Sequence, residues 1–440
     1  MNSLLLSWRK IIALSALFVG AYLAAGEWIW HGSFPWLYSD ETEEWIYWRA
    51  GKDGRFYQWR QSAGGWLIFN DGADGWGRLE ATPLNEQLWE AWESDPMPYG
   101  GVYTLEKIKL AIEKSKPYLD LSFHGMEDLT PLQEATHLRK LYLQANEITD
   151  LGPLSALSNL EVLHLGSNQI SDLSSLSNLS ELKELYLDDN LLNDTSNLGI
   201  SPLVGLTRLV RLNLSDNAIK NIEPLSNIYD LEELNLKGNE VDEILALSNL
   251  IKLQSLDLAD NQIRDLNSLE SLVELRLLYA EDNRIVGINS LGKLLNLKEF
   301  NLSNNLIDDL SGFSDIPYQY SYVWLADLSD NNLTNISGLE KLGNLRILSL
   351  SENSIVDLSP LSNMGELSTL LIDFNQVSDL TPIKGLQNLR GLYANNNQLI
   401  NDQSVMDMNQ LVELYIYENN LTDNRKVEIQ NALPSVAIEF

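Results

Sequence analysis

Carboxylates carry most of the reactive chemistry in this chain. Its 440 residues include 62 Asp and Glu against 30 Lys and Arg, a formal charge of −32. Acidic pairs such as Asp188/Asp189 and Glu281/Asp282 recur, and neighbouring carboxylates suit hard cations. However, the helix–loop–helix calcium pattern is missing, so the pairs read as solvated surface charge. Four histidines (His31, His124, His137, His164) leave little imidazole for metal binding or proton transfer, and the lack of cysteine removes disulfides, thiolate ligands and thiol nucleophiles. No phosphate-binding glycine loop, HExxH pair or serine elbow occurs. The sequence therefore predicts no catalytic residue, no metal and no cofactor. Its charge argues against nucleic acid, whose phosphates need Lys and Arg, and against anionic membrane surfaces. It suits cations or basic partners.

What remains is binding, and the elements that would position it are unusually regular. From Lys116 to the C-terminus one 22-residue frame recurs: apolar at positions 1, 4, 6, 11, 14, 17 and 20, with Asn at 9. It is plain in "LRKLYLQANEITDLGPLSALSN" (138–159), "LEVLHLGSNQISDLSSLSNLSE" (160–181) and "LEELNLKGNEVDEILALSNLIK" (231–252). Rungs begin at 116, 138, 160, 182, 209, 231, 253, 275, 297, 323, 345, 367, 389 and 411, and are numbered 1 to 14 below. A period of this length signals a stacked array. Positions 3 to 7 predict a strand with 4 and 6 inward and 3, 5 and 7 outward. One rung cannot bury its leucines alone, so neighbours must stack into a shared core. Asn at position 9, present in every rung but the first, predicts a structural amide serving unpaired backbone groups of adjacent turns. His124 stands there in rung 1 and reads as a tolerated substitution.

The consensus, a helix before "LDLSFHGMEDLTPL" and the ending "VEIQNALPSVAIEF" resemble the internalin-type, 22-residue leucine-rich repeat proteins across residues 104–440. The resemblance implies an α/β solenoid: a right-handed horseshoe with a parallel concave sheet and a convex side of 3₁₀ or short turns. It also implies binding of another macromolecule through the concave face, and no catalytic residues.

Outward positions are free to report a partner. In the first half they are mostly polar, as in Lys140, Tyr142, Gln144, His164, Glu184, Tyr186 and Asp188. In the second half they become apolar: Leu277, Leu325 and Ile347 at position 3, Leu371, Tyr393 and Tyr415 at position 5, Tyr417 at 7, with Phe374 at 8. Solvated sheet faces usually stay polar, and such anchors beside Asp327, Asp373 and Glu413 are hot-spot chemistry. The beat is also delayed by four residues after Ile316, and the gap carries Tyr318, Tyr320 and Tyr322 ahead of Trp324. An insertion that keeps the flanking frame predicts an aromatic lip beside Leu325 and Ile347. A second, polar insertion lies within "NDTSNLGIS".

The N-terminal quarter differs in kind. Residues 1–26 combine a basic start, the 13-residue apolar run "IIALSALFVGAYL" and a small-residue "AAG", a secretory signal layout that predicts export, or membrane anchoring if uncleaved. Ten of the twelve tryptophans lie between Trp28 and Trp92. Within 27–79, aromatic bursts separated by Gly/Asp turns predict a small antiparallel β-module. Residues 80–103 read as a linker with one amphipathic turn near Leu88–Trp92, and Thr104–Ser115 as a cap helix begun by Thr104. Residues 116–432 hold the rungs and 433–440 a closing strand. The leading functional expectation is an exported protein that binds a protein or glycan on its concave face. The alternatives are a regulatory scaffold that binds an enzyme, and carbohydrate binding through the aromatic module.

Overall fold

The computed structural model describes residues 86–194, 199–316, 321–400 and 403–440, together with the backbone of the strands between 28 and 78. The chain divides into two compact units, Met1–Pro96 and Met97–Phe440. Residues 1–26, read above as a signal, lie outside the described residues.

In the first unit the strands Trp28–Trp30, Trp36–Ser39, Glu44–Ala50, Phe56–Arg60, Gly65–Asn70 and Gly75–Arg78 form one antiparallel sheet in sequence order. Its register aligns Trp36, Tyr47, Trp59 and Trp66 as one row across four strands. The stretch read as a linker contains a helix, α1 (Glu86–Ser94). The sequence suggested only a turn there because its apolar stripe is short, being essentially Leu88, Trp89 and Trp92. The rings of Trp89 and Trp92 meet edge to face at 4.8 Å and both are buried.

The second unit opens with α2 (Val102–Glu113), two residues earlier than the sequence suggested. Gly101, with φ 85°, is the residue before the helix. Thr104 is not the cap: it is buried inside the first turn, and its hydroxyl donates to Gly100 O at 2.7 Å. Fifteen parallel strands then follow in register, from Tyr118–Asp120 to Ala437–Glu439. Each strand spans only positions 3 to 5, but the ladder bonds continue at 6 and 8, as in Leu143 N–H to His164 O and Ala145 N–H to Gly166 O. Positions 4 and 6 are buried in every rung, so the leucine frame is the core.

Two devices turn each rung out of the sheet. The first is position 8, which is left-handed in all fourteen rungs, with φ between 51° and 66°. The second is Asn at position 9. Asn168 donates Nδ2 to Leu143 O (3.0 Å) and Leu165 O (2.9 Å) and accepts from Ile148 N–H (3.1 Å), and the same three-way bond recurs along the array. In rung 1, His124 does a related job: Nδ1 lies 2.6 Å from Ser122 O and Nε2 3.5 Å from Lys107 Nζ on α2. The convex side is made of short 3₁₀ turns, several begun by an Asp two residues before the N–H it accepts from (Asp150 to Gly152, Asp357 to Ser359, both 2.8 Å). Rung 14 departs from this. Its convex segment is a ten-residue helix, α3 (Asp423–Ala432), where Thr422 accepts from Arg425 N–H at 3.3 Å.

Candidate binding surface

Leu328, Leu350 and Ile372 are 0% exposed, whereas Leu325, Ile347 and Leu371 are half-buried on the other side of the same strands. Register sets Leu325 directly beside Ile347 and Leu371 beside Tyr393. Tyr393 and Tyr415 stack at 4.8 Å with rings 8° from parallel. The Tyr393 hydroxyl donates to Glu413 at 2.6 Å, and this bond, followed by burial, pushes its phenol up to about 12. Tyr417 is exposed on the last full rung, its N–H donating to Asn395 at 2.8 Å. Phe374 is 55% exposed at φ 55°. A bulky residue rarely adopts that backbone conformation, which places a large apolar side chain in solvent at a strained position.

The insertion is bounded by Ile316 and Ser321, both buried. Tyr318 and Tyr320 lie outside the described residues. Tyr322 (57% exposed) and Trp324 (39%) line a shallow pocket of about 280 Å³ with Asn344, Arg346 and Glu366, on the rim where the chain enters the sheet. Asn344 fixes the edge of this pocket by donating to Ser321 O at 2.6 Å.

A second aromatic feature was not legible rung by rung. Tyr142, His164 and Tyr186 form a stack with centroids 4.6 and 3.9 Å apart, and Tyr118 leans against its end at 5.3 Å with its ring tilted 52° to Tyr142. Gly166 lies beside it because the carboxylate of Asp188 folds over that position: a Cβ there would come 2.6 Å from Asp188 Oδ2. Burial pushes His164 below the usual histidine range, although Glu184, Asp188 and Asp120 pull the other way. The signal in the sequence was an aromatic or imidazole ring at position 5 of three successive rungs.

Charge also divides the face. In rungs 2 to 6 carboxylates have cations: Arg211 reaches Glu184 (2.9 Å) and Glu233 (3.0 Å), and Lys183 reaches Glu161 (2.7 Å). Among the described residues, no group of three or more His, Asp or Glu is arranged to hold a metal ion.

The leucine-rich repeat model (two copies) matches residues 136–178 and 158–203. The solved structure of an internalin (inlF) from Listeria monocytogenes is 28% identical, spans 77% of this chain and 95% of that one, and has a TM-score of 0.62. A leucine-rich repeat protein of Leptospira interrogans is 23% identical over 75% of this chain and 98% of that one, with a TM-score of 0.60. The functional domain of InlJ from Listeria monocytogenes is 22% identical over 74% and 72% of the two chains, with a TM-score of 0.59. That domain includes a cysteine ladder, and the present chain, without cysteine, runs asparagines through its turns. No curated protein sequence matches the chain. Sheet, turns and repeat model together define a leucine-rich repeat solenoid. The chain is similar to the internalin-type leucine-rich repeat proteins and shares their fold.

Proposed function

We propose that this chain is an exported, non-enzymatic binding protein that holds a protein partner on the concave face of rungs 8 to 14. Leucine-rich repeat folds commonly mediate protein–protein binding, and their stacked rungs present an extended concave surface suited to it. The observation that carries the reading is the run of half-buried Leu325, Ile347, Leu371, Tyr393 and Tyr415 facing outward while the alternate positions are sealed in the core. Apolar and aromatic anchors of this kind dominate protein recognition energetics. The pocket at Tyr322 and Trp324 extends the surface onto the rim. The test is capture of partners from cell-surface extracts by the whole chain, compared with Leu325→Glu/Leu371→Glu/Tyr393→Glu. Loss of the captured species supports the surface, and undiminished capture removes it. Export rests on residues 1–26 and is tested by a reporter fused after residue 30: cytosolic retention would favour an intracellular scaffold instead.

A further inference from the structure

The outward positions of the last eight rungs contain six carboxylates and no cation. Asp257, Glu281, Glu299, Asp327, Asp373 and Glu413 occupy positions 3, 5 or 7 between Ser255 and Tyr417, and no Lys, Arg or His stands at any such position in that span. All six are half-buried. None is in an ion pair among the described residues. Their hydrogen-bond partners are neutral: Ala259 N–H on Asp257 (3.0 Å), Tyr279 hydroxyl on Glu299 (2.8 Å), Ser329 on Asp327 (2.6 Å), Asn395 N–H on Asp373 (2.8 Å) and Tyr393 on Glu413. Lys237, just before the span, reaches Asp257 and Glu281 only through space. Glu281 Oε2 is buried without a hydrogen-bond partner.

Half-burying charge without a paired counter-charge is unfavourable. Burial holds the Asp257 and Glu281 carboxyls above the usual range, with Asp216 adding repulsion at Asp257, and Asp257 and Asp282 adding it at Glu281. Lys237 of rung 6 pulls both down without reversing the shift. The first half of the same sheet has cations at these positions (Lys140, Arg211, Lys237), so the fold does not require the imbalance. A single metal ion does not answer it, since no three of the carboxylates converge on one point. The charges instead spread over seven rung spacings, about 34 Å at the usual distance between strands, interleaved with Leu277, Leu325, Ile347, Leu371, Tyr393 and Tyr415.

We propose that the partner of this face is a cationic protein segment, whose Lys and Arg side chains pair with the carboxylates that lack an ion-pair partner while its apolar residues settle between them. The proposal rests on the binding reading above and names the chemistry of the partner.

The probe is a labelled synthetic peptide, (Arg-Ser-Leu-Ser)4, titrated by fluorescence anisotropy against the full chain, with (Glu-Ser-Leu-Ser)4 and (Arg-Ser-Ser-Ser)4 as comparisons. The Arg–Leu peptide is expected to bind best. Asp257→Asn/Glu281→Gln/Asp327→Asn/Asp373→Asn is expected to weaken it at least about tenfold, while neutralising four exposed turn carboxylates (Glu240→Gln/Glu243→Gln/Glu270→Gln/Glu274→Gln) changes it less than about twofold. Affinity is expected to fall as pH drops toward the raised carboxyl range of Asp257 and Glu281, earlier than ordinary carboxylates would dictate. Thermal melts check folding: the concave variant removes repulsion and is expected to melt no lower than wild type. Equal effects of the two quadruple variants would show a non-specific polyanion and overturn the proposal, as would no binding of the Arg–Leu peptide or equal binding of the Glu–Leu peptide. A partner captured through Leu325, Leu371 and Tyr393 but indifferent to the concave neutralisation would sink this inference and leave the binding reading standing.

Discussion

Asn305 shows what a single position-9 side chain does. It is buried, its Oδ1 accepts from Ile285 N–H at 2.9 Å, and its Nδ2 donates to Ala280 O (2.9 Å) and Leu302 O (3.1 Å). In Asn305→Ala the Ile285 N–H loses its only such partner, while the two carbonyls keep weaker or shared bonds from Asn283 and Asn331. The expected loss of stability is about 2–3 kcal/mol, read from urea unfolding; a loss within error would mean that water replaces the amide at no cost. That role was legible in the sequence, because a buried turn must satisfy its backbone and an amide can both donate and accept. The left-handed residue just before it was not. Phe123, Ala145 and Phe374 are not residue types that signal a positive φ, and the frame of the solenoid imposes it on whatever stands there. The Tyr142–His164–Tyr186 stack escaped for another reason. Within its own strand each ring reads as a polar outward residue, and the contact exists only between residues 22 apart.

Between neighbouring strands, the core is fitted by volume. Position 4 is leucine in twelve rungs, but rung 9 has Phe300 and rung 10 has Ala326, and register places these two side by side. Phe300 also meets Phe313 at 5.8 Å, and all three are buried. The small residue makes room for the large one. Ala326→Leu alone is expected to cost about 1–3 kcal/mol by overpacking, and Phe300→Leu in the same chain is expected to recover most of it. A double-mutant cycle by thermal unfolding reads the coupling, and additive losses would separate the two sites. Elements with a strong apolar beat were legible to within a few residues. Those without one were not. In α3 only Ile429 is buried among ten residues, so no helical stripe betrays it, and the helix is set by Thr422 and the turn it begins.

For the molecule as a whole, the excess of 32 negative charges bears on stability as well as on recognition. Self-repulsion opposes the compact state and salt screens it. Raising NaCl from about 20 mM to about 500 mM is expected to lift the melting temperature by several degrees, with a larger rise in wild type than in the chain neutralised at Asp257, Glu281, Asp327 and Asp373. A flat response would show that the carboxylates are already compensated by solvent. The architecture was legible at this scale because the 22-residue period is itself the stacking rule. The partition of cations along the concave face became legible only when outward positions were read as one surface, rather than strand by strand. The interruption after Ile316 has a practical consequence. Ile316 and Ser321 are both anchored in the core, and Glu299 still pairs with Leu325 across the gap. The stack therefore fixes where the chain leaves and returns, but not how many residues travel between. That makes residues 317–320 a natural splice point, where loops of varied length and composition can be displayed beside a built-in aromatic rim without retuning the rungs beneath.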